Sequence, residues 1–347
     1  MVEIDLWEKL KNAKRPIVIY GMGDGCDKIL GVANEKGIKI AGIFASDEYV
    51  RGQIANGFPV MTYKKARETF GDMIVLLAFG VFRDDLMERI KHIAAETELY
   101  APDVPLFGGG LFDRAYYEDH KKDFDAVEEM LSDEASKKAF RNTVLFKLTG
   151  HPDYLWEIES DKKKDLVSLI PFQKGDVYLD LGAYDGDTAS EWDSLFPDHG
   201  KIVAVEPNEK TFLKLVENCK EIPFFVPLEA AAWNRREQLS FSGKSGRSAS
   251  VSESGKVKVQ GLPPDAMTPT AAFIKYDVEG AEKEAIEGSR RLICEEKASL
   301  CISAYHRTED LFAIPLQVKE MQPEYKVYFR HSPYVPAWDT FFYFICG

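Results

Sequence analysis

Val177-Tyr-Leu-Asp-Leu-Gly-Ala-Tyr-Asp-Gly-Asp187 is the stretch that decides the fold. An apolar run ends in an acid, Asp180. Gly182 and Gly186 follow, and then a second acid, Asp187. This predicts a buried parallel strand that leaves its sheet through a tight glycine turn into a helix. Ligands of open α/β sheets bind at the carboxyl ends of such strands. Glycine lets the backbone approach a ligand with no Cβ in the way.

The loop does not spell the dinucleotide fingerprint Gly-x-Gly-x-x-Gly. It reads Asp-x-Gly-x-x-x-Gly, with Tyr184 where many nucleotide loops carry a middle glycine. A pyrophosphate needs close packing of that loop, whereas a phosphate-free ligand such as S-adenosylmethionine (SAM) does not. Lys201-Ile-Val-Ala-Val-Glu206 repeats the pattern of a strand closed by an acid. In nucleoside-binding α/β folds an acid at the end of strand two takes the ribose hydroxyls, roughly 20 residues after the first turn. The gap from Asp180 is slightly longer here. The bland reading is that both acids merely cap loops.

Outward from this core, seven strands are expected at 176–181, 201–206, 223–227, 272–277, 298–303, 325–330 and 340–345. Helical patterns separate the first five, and a short Pro-, His- and Tyr-rich loop joins the last two as an antiparallel hairpin. Residues 1–110 form a smaller Rossmann-like α/β domain, with strands at 16–20, 38–44 and 73–79. Its loop Gly21-Met-Gly-Asp-Gly25 has the first two glycines of the dinucleotide fingerprint, but the third falls one position early. Asp47, past the second strand, could meet a ribose or be ordinary loop. Residues 111–165 have apolar positions at helical spacing (Phe124, Val127, Met130, Leu131, then Phe140, Val144, Leu148) and read as a helical connector. His151, Tyr154 and Trp156 are expected to pack there.

Residues 166–347 resemble the FkbM family of SAM-dependent methyltransferases. The resemblance is carried by Asp180-Leu-Gly-Ala-Tyr-Asp-Gly-Asp-Thr188, Val205-Glu-Pro-Asn208, Ile274-Lys-Tyr-Asp-Val-Glu-Gly-Ala-Glu282 and Ser303-Ala-Tyr-His-Arg-Thr-Glu-Asp-Leu311. It implies a class I, Rossmann-like, seven-stranded methyltransferase domain. It also implies a hydroxyl or similar acceptor, often on sugars, glycans or polyketide products. In place of the family's Leu-Asp pair before strand four stands Gly261-Leu-Pro-Pro-Asp-Ala-Met267. Residues 1–110 lie outside the family's core.

Methyl transfer is an in-line displacement at a sulfonium, so the enzyme gains most by positioning the acceptor and excluding water. The expected cofactor contacts are Asp180, Gly182, Ala183, Tyr184, Gly186, Asp187, Thr188, Glu206, Pro207, Glu229, Ala230 and Asp277. Asp180 or Asp187 would accept from the ammonium and Glu206 from the ribose. Glu229 would take the adenine amino group, and Ala230 would leave room for the ring. Trp233 packs on the adenine or belongs to the core.

The candidates for removing a hydroxyl proton are Asp277, Glu279 and His306. Asp277 closes strand four, and Glu279 and Glu282 are placed at the start of the next helix. His306 has an ordinary pKa suited to general-base work, or is a loop histidine bonded to Asp310. Asp277 and Glu279 could instead hold a divalent cation, but no metal site is assigned. Residues 234–265, with Arg235, Arg236, Lys244 and Arg247, read as a basic loop that closes over an acceptor or as a solvated hairpin. Arg307, Arg330 and His331 are further candidates for the acceptor pocket.

Bulk properties limit the alternatives. The chain has 347 residues, is 45% apolar and carries a net charge of −13, which argues against a nucleic-acid partner. No stretch approaches a membrane span, and the acidic N-terminus lacks a signal-peptide core. Five scattered cysteines suggest reduced thiols and a cytoplasmic protein. The expected partner is a small-molecule or glycan acceptor. A homo-oligomer stays open, because the N-terminal domain could pair subunits or present substrate. The rival function is a nucleotide- or nicotinamide-dependent sugar-modifying enzyme acting through residues 1–110.

Overall fold

A computed structural model describes residues 5–108, 110–242, 250–251 and 257–346. Lys244 and Arg247 of the expected basic loop lie outside the described residues. The chain divides into two compact units. One comprises Met1–Asp123, Lys137–Ser160 and His331–Asp339, and the other Phe124–Ser136, Asp161–Arg330 and Thr340–Gly347. The helical stretch 111–165 is thus shared between the units.

The first unit is built on a sheet of β1 (Ile17–Tyr20), β2 (Ile40–Phe44), β3 (Ile54–Ala55), β4 (Phe58–Met61), β5 (Ile74–Leu77) and β6 (Glu98–Tyr100), in the order β3-β4-β2-β1-β5-β6. All neighbours run parallel except β3 on β4. Every residue of β1 and β5 is buried, as expected of parallel strands covered on both faces. The helix Asp24–Lys36 lies so close to the exit of β5 that a Cβ on Gly25 would stand 2.2 Å from the Ala78 carbonyl oxygen. Gly25 therefore serves this packing directly.

The second unit contains β7 (Tyr178–Leu181), β8 (Ile202–Val205), β9 (Phe225–Leu228), β10 (Ala231–Ala232), β11 (Glu237–Ser242), β12 (Ser250–Val251), β13 (Val257–Leu262), β14 (Phe273–Tyr276), β15 (Ser299–Ser303), β16 (Lys326–His331) and β17 (Thr340–Ile345). Seven of them form one sheet in the order β9-β8-β7-β14-β15-β17-β16. The first five strands in this order are parallel, and β17 runs antiparallel to β15. The seven expected strands are the strands of this sheet. The chain leaves β7 toward β8 on one side and reaches β14 on the other, which puts the topological switch point at the exit of β7.

An aromatic stack fixes the helix Asp187–Leu195 to this sheet. The Trp192 ring lies 4.5 Å from Tyr178 of β7 and 4.7 Å from Phe273 of β14, nearly parallel to the latter. The helix that begins at the glycine turn is thereby clamped at its far end as well.

Residues 234–265 follow the hairpin alternative, with β11 and β13 paired antiparallel. Strands β10 to β13 make a second sheet in the order β10-β13-β11-β12. Trp233 packs against its Ala231, Leu239 and Val259 cluster and donates its indole N–H to Glu237. Arg235 pairs with the same Glu237 at 3.0 Å. Both side chains hold this small sheet together.

Because Trp192 is buried between two rings, Trp192→Ala should cost about 3–5 kcal/mol of stability. Urea unfolding of the second unit measures it. A loss below about 1 kcal/mol, the size of an ordinary surface change, would contradict this packing.

Candidate functional site

The exit of β7 is set by a buried acid and a glycine. Asp180 is fully buried, and its carboxylate accepts from the Thr188 hydroxyl and from the Lys275 ammonium at 3.4 Å. Gly182 follows at φ +83, and a Cβ there would stand 2.0 Å from the Asp277 carbonyl oxygen. The exits of β7 and β14 approach so closely that only glycine fits between them. Its N–H and that of Ala183 both donate to the Val205 carbonyl at 3.0 Å, which folds the turn toward β8. Tyr184 sits at φ +47, a left-handed conformation uncommon for a bulky residue and found preferentially at functional turns. Asp187 is exposed at the start of its helix, where its carboxylate accepts from the Thr188 N–H at 2.8 Å.

At the neighbouring exit, Glu206 follows β8 and is 8% exposed. Burial pushes its carboxyl up to about 7, although the Asn208 and Tyr184 N–H groups favour the charged form. Tyr184 thus links the glycine turn to this acid. Pro207 is half-buried beside it, and Asn208 caps the helix Glu209–Cys219. At the end of β9, Glu229 is exposed and Ala230 is buried.

The exit of β14 holds the densest charge. Lys275, 5% exposed, reaches Asp180 at 3.4 Å, Asp277 at 3.5 Å and the Gly182 carbonyl at 3.4 Å. Burial alone would lower its pKa, but Asp180 and Asp277 outweigh that and raise it. Asp277 accepts from the Tyr305 hydroxyl at 3.0 Å. Burial opposes its ionisation, but Lys275 and His306 hold its carboxyl below the usual range.

His306 is buried, with Nδ1 at 2.8 Å from Glu282 and Nε2 at 3.5 Å from Asp277 and 3.6 Å from Glu279. Burial alone would lower its pKa, but Glu282, Asp277 and Glu279 push it up to about 10. The expected neutral base is therefore an imidazolium at neutral pH. Glu279 lies in the turn before the helix Glu282–Glu287, at φ +54, so only Glu282 opens that helix.

Glu282, His306 and Asp310 stand close enough together to hold a metal ion. Internal hydrogen bonds already organise them. Glu282 accepts from the Val278 N–H at 3.0 Å as well as from His306, and Asp310 accepts from the Arg307 N–H at 2.7 Å. Burial and then the Glu282 charge push the Asp310 carboxyl well above the usual carboxylate range.

Several expected contacts act elsewhere. Arg307 braces the β14 turn through the Gly280 carbonyl at 2.7 Å. Arg330 is bound to Asp133 at 2.7 Å and Asp165 at 3.4 Å, and is therefore a structural clamp, not part of an acceptor pocket. His331, the last residue of β16 and the point where the chain passes to the first unit, is fully buried and bonded to the Tyr334 carbonyl, and burial lowers it to about 4. Asp265, in the stretch that departs from the family pattern, caps the helix Arg290–Cys294 by accepting from the Arg291 and Leu292 N–H groups at 2.8 and 3.0 Å. Sequence reasoning missed Lys275 and Tyr305 as site residues. Both lie inside motif segments, adjacent or nearly so to residues it did single out.

A seven-stranded sheet of this order, with acids at three neighbouring strand exits around a glycine turn, is the architecture of class I methyltransferases. Residues 180–331 match the family model of the Methyltransferase FkbM domain. The crystal structure of Methyltransferase FkbM from Methylobacillus flagellatus KT aligns with a TM-score of 0.74 at 20% identity, over 99% of this chain and 94% of that one. Weaker similarity extends to Aeropyrum pernix fibrillarin in complex with SAM (TM-score 0.34, 15% identity, 50% of this chain and 67% of that one). It also extends to the precorrin-6y C5,15-methyltransferase from Geobacter metallireducens (TM-score 0.35, 15% identity, 54% and 86%). No curated protein matches. Among the described residues no helix is long and apolar enough to cross a membrane.

The His306 imidazole should remain protonated at pH 8 in a 15N-detected NMR titration, and Glu282→Gln should move its midpoint down. Its stabilising contribution is full below pH 6.5 and lost as pH rises through about 10. A wild-type midpoint near 6.5 would contradict the ion-pair geometry.

Proposed function

We propose that the chain is a SAM-dependent methyltransferase that methylates a hydroxyl on a sugar, glycan or secondary-metabolite acceptor. The observation that carries this reading is the buried Glu206 carboxylate beside the Gly182–Gly186 turn at the switch point of the sheet. Burial leaves it a strained anion that gains from hydroxyl donors such as a ribose diol. The donor set fits a cation too: Asp180, Asp277, Glu279 and Glu282 outnumber Lys275 and His306 around these exits. Bound SAM supplies an electrophilic methyl on a positively charged sulfur.

The chain's own residues do the rest. The backbone from Gly182 to Thr188 receives the methionine portion, with Asp187 facing the ammonium. Asp180 has its oxygens engaged by Thr188 and Lys275 and holds the turn in shape from beneath. Glu206 and Pro207 bind the ribose side, and Glu229 and Ala230 border the adenine. Asp277 accepts the acceptor's hydroxyl proton on its carboxylate, assisted by the neighbouring Glu279. His306, already protonated, steadies both acids and does not itself take that proton. Enclosure of these groups keeps water from competing for the methyl.

The nucleotide-dependent reading would place a phosphate at the Gly21–Gly25 loop. Asp24 and Asp27 occupy the first turn of the helix there, and their charge opposes an anion at that helix end.

Calorimetric titration with S-adenosylhomocysteine (SAH) tests the proposal. Saturable binding is expected, with Glu206→Ala weakening it by roughly 10-fold or more, the scale of hydrogen bonds to a charged group. Binding of NAD in place of SAH would overturn it. Because donors favour the ionised form of Glu206, SAH affinity should rise with pH through about 7 and binding should release a proton. A pH-independent affinity that Glu206→Ala leaves unchanged would exclude Glu206 as the ribose ligand.

A further inference from the structure

We infer that Lys275 is a positioning residue that joins the cofactor side of the site to the acceptor side, so that the shape of the glycine turn and the ionisation of Asp277 are set by one buried ammonium. The inference rests on the methyltransferase reading above and assigns a role to a residue that the reading does not use.

The geometry is specific. Lys275 lies on β14 in register with Asp180 on β7 and Cys301 on β15. Its ammonium is within 3.4 Å of Asp180 Oδ1 and of the Gly182 carbonyl, and within 3.5 Å of Asp277 Oδ2. The ammonium thus donates to two acceptors on the β7 exit and forms an ion pair with a carboxylate on the β14 exit. Its side chain is 6% exposed and that of Asp180 is not exposed at all, whereas that of Asp277 is 27% exposed. The lysine therefore acts from behind Asp277, which presents its remaining edge outward.

An ammonium this deeply buried persists only when paired, since an isolated ion would be neutralised. Here Asp180 and Asp277 pair it from both sides, and Asp187 adds a more distant negative charge. Asp277 in turn faces Lys275, His306 and the Tyr305 hydroxyl, while Glu279 stands beyond His306. A rearrangement of the Gly182 carbonyl on cofactor docking must move the ammonium that balances Asp277. A reverse movement must pull on the turn. A lysine that merely balanced Asp180 would need neither the carbonyl nor Asp277.

The experiment uses the full chain and SAH as the probe. The Asp277 carboxyl is followed by 13C NMR with Asp-labelled protein, assigned through Asp277→Asn. SAH affinity is measured in parallel by calorimetry. Lys275→Gln should raise the Asp277 midpoint by about one pH unit or more, the shift expected on losing an adjacent charge. It should also weaken SAH by roughly 10-fold, and Lys275→Arg should restore much of both.

Should Lys275→Gln unfold because it strands the buried Asp180, the paired variant Asp180→Asn/Lys275→Gln removes both charges. It should raise the Asp277 midpoint in the same way. A folded variant with lowered thermal stability but an unchanged Asp277 midpoint would overturn the inference and leave Lys275 a structural ion-pair partner. Failure of the wild-type protein to bind SAH would instead strike the methyltransferase reading itself, which keeps the two failures apart.

Discussion

A lysine ammonium buried between two carboxylates is the interaction on which the second unit's working edge depends. Lys275 lies among Asp180, Asp277 and the Gly182 carbonyl, at the point where the sheet's winding reverses. Burying an ion costs several kcal/mol unless partners replace its water. That constraint dictates much of the surrounding sequence. Asp180 must be an acid, the residue two positions on must be glycine for the two strand exits to touch, and Thr188 must supply the hydroxyl that completes Asp180. A second buried cation, His306, repeats the arrangement beyond the exit of β15 with Glu282, Asp277 and Glu279.

The two cations divide the labour among otherwise similar acids. Asp277 touches both, is held below the usual carboxylate range and retains an exposed edge, and its proposed role toward an acceptor rests on these features. Among the described residues no such cation stands at contact distance from Glu206. Burial raises it to about 7, the opposite direction from Asp277. Carboxylates at neighbouring strand exits thus differ in protonation because of their surroundings alone. The first unit shares a parallel sheet but carries an acidic helix start at its glycine loop, and no comparable pair of buried cations is evident among its described residues.

The strands of the seven-stranded sheet were legible because parallel strands covered on both faces leave uninterrupted apolar runs, as in Tyr178–Leu181 and Ile202–Val205. Acids and glycines at the strand ends were legible for the complementary reason that they break those runs. The protonation of His306 was not, since it is set by Glu282, 24 residues away in the chain. Lys275 was hidden because a lysine within a short strand reads as a solvent-facing position, and only the register with β7 shows that it points at an acid. In the small sheet at 231–262 the alternating runs Leu239-Ser-Phe241 and Val257-Lys-Val259 are short and set among Ser, Gly and Lys, which leaves a hairpin and a loop equally legible in the sequence. Its pairing comes from backbone hydrogen bonds and a cluster of only a few side chains.

The central claim is that the exits of β7, β8 and β14 form one cofactor-binding edge. A crystal structure of the protein grown with SAH tests it most directly. The account predicts density for the methionine portion along Gly182–Thr188 and for the ribose hydroxyls at Glu206, with Asp277 beside the sulfur. Density at the Gly21–Gly25 loop of the first unit, with the β7 exit empty at saturating SAH, would contradict it.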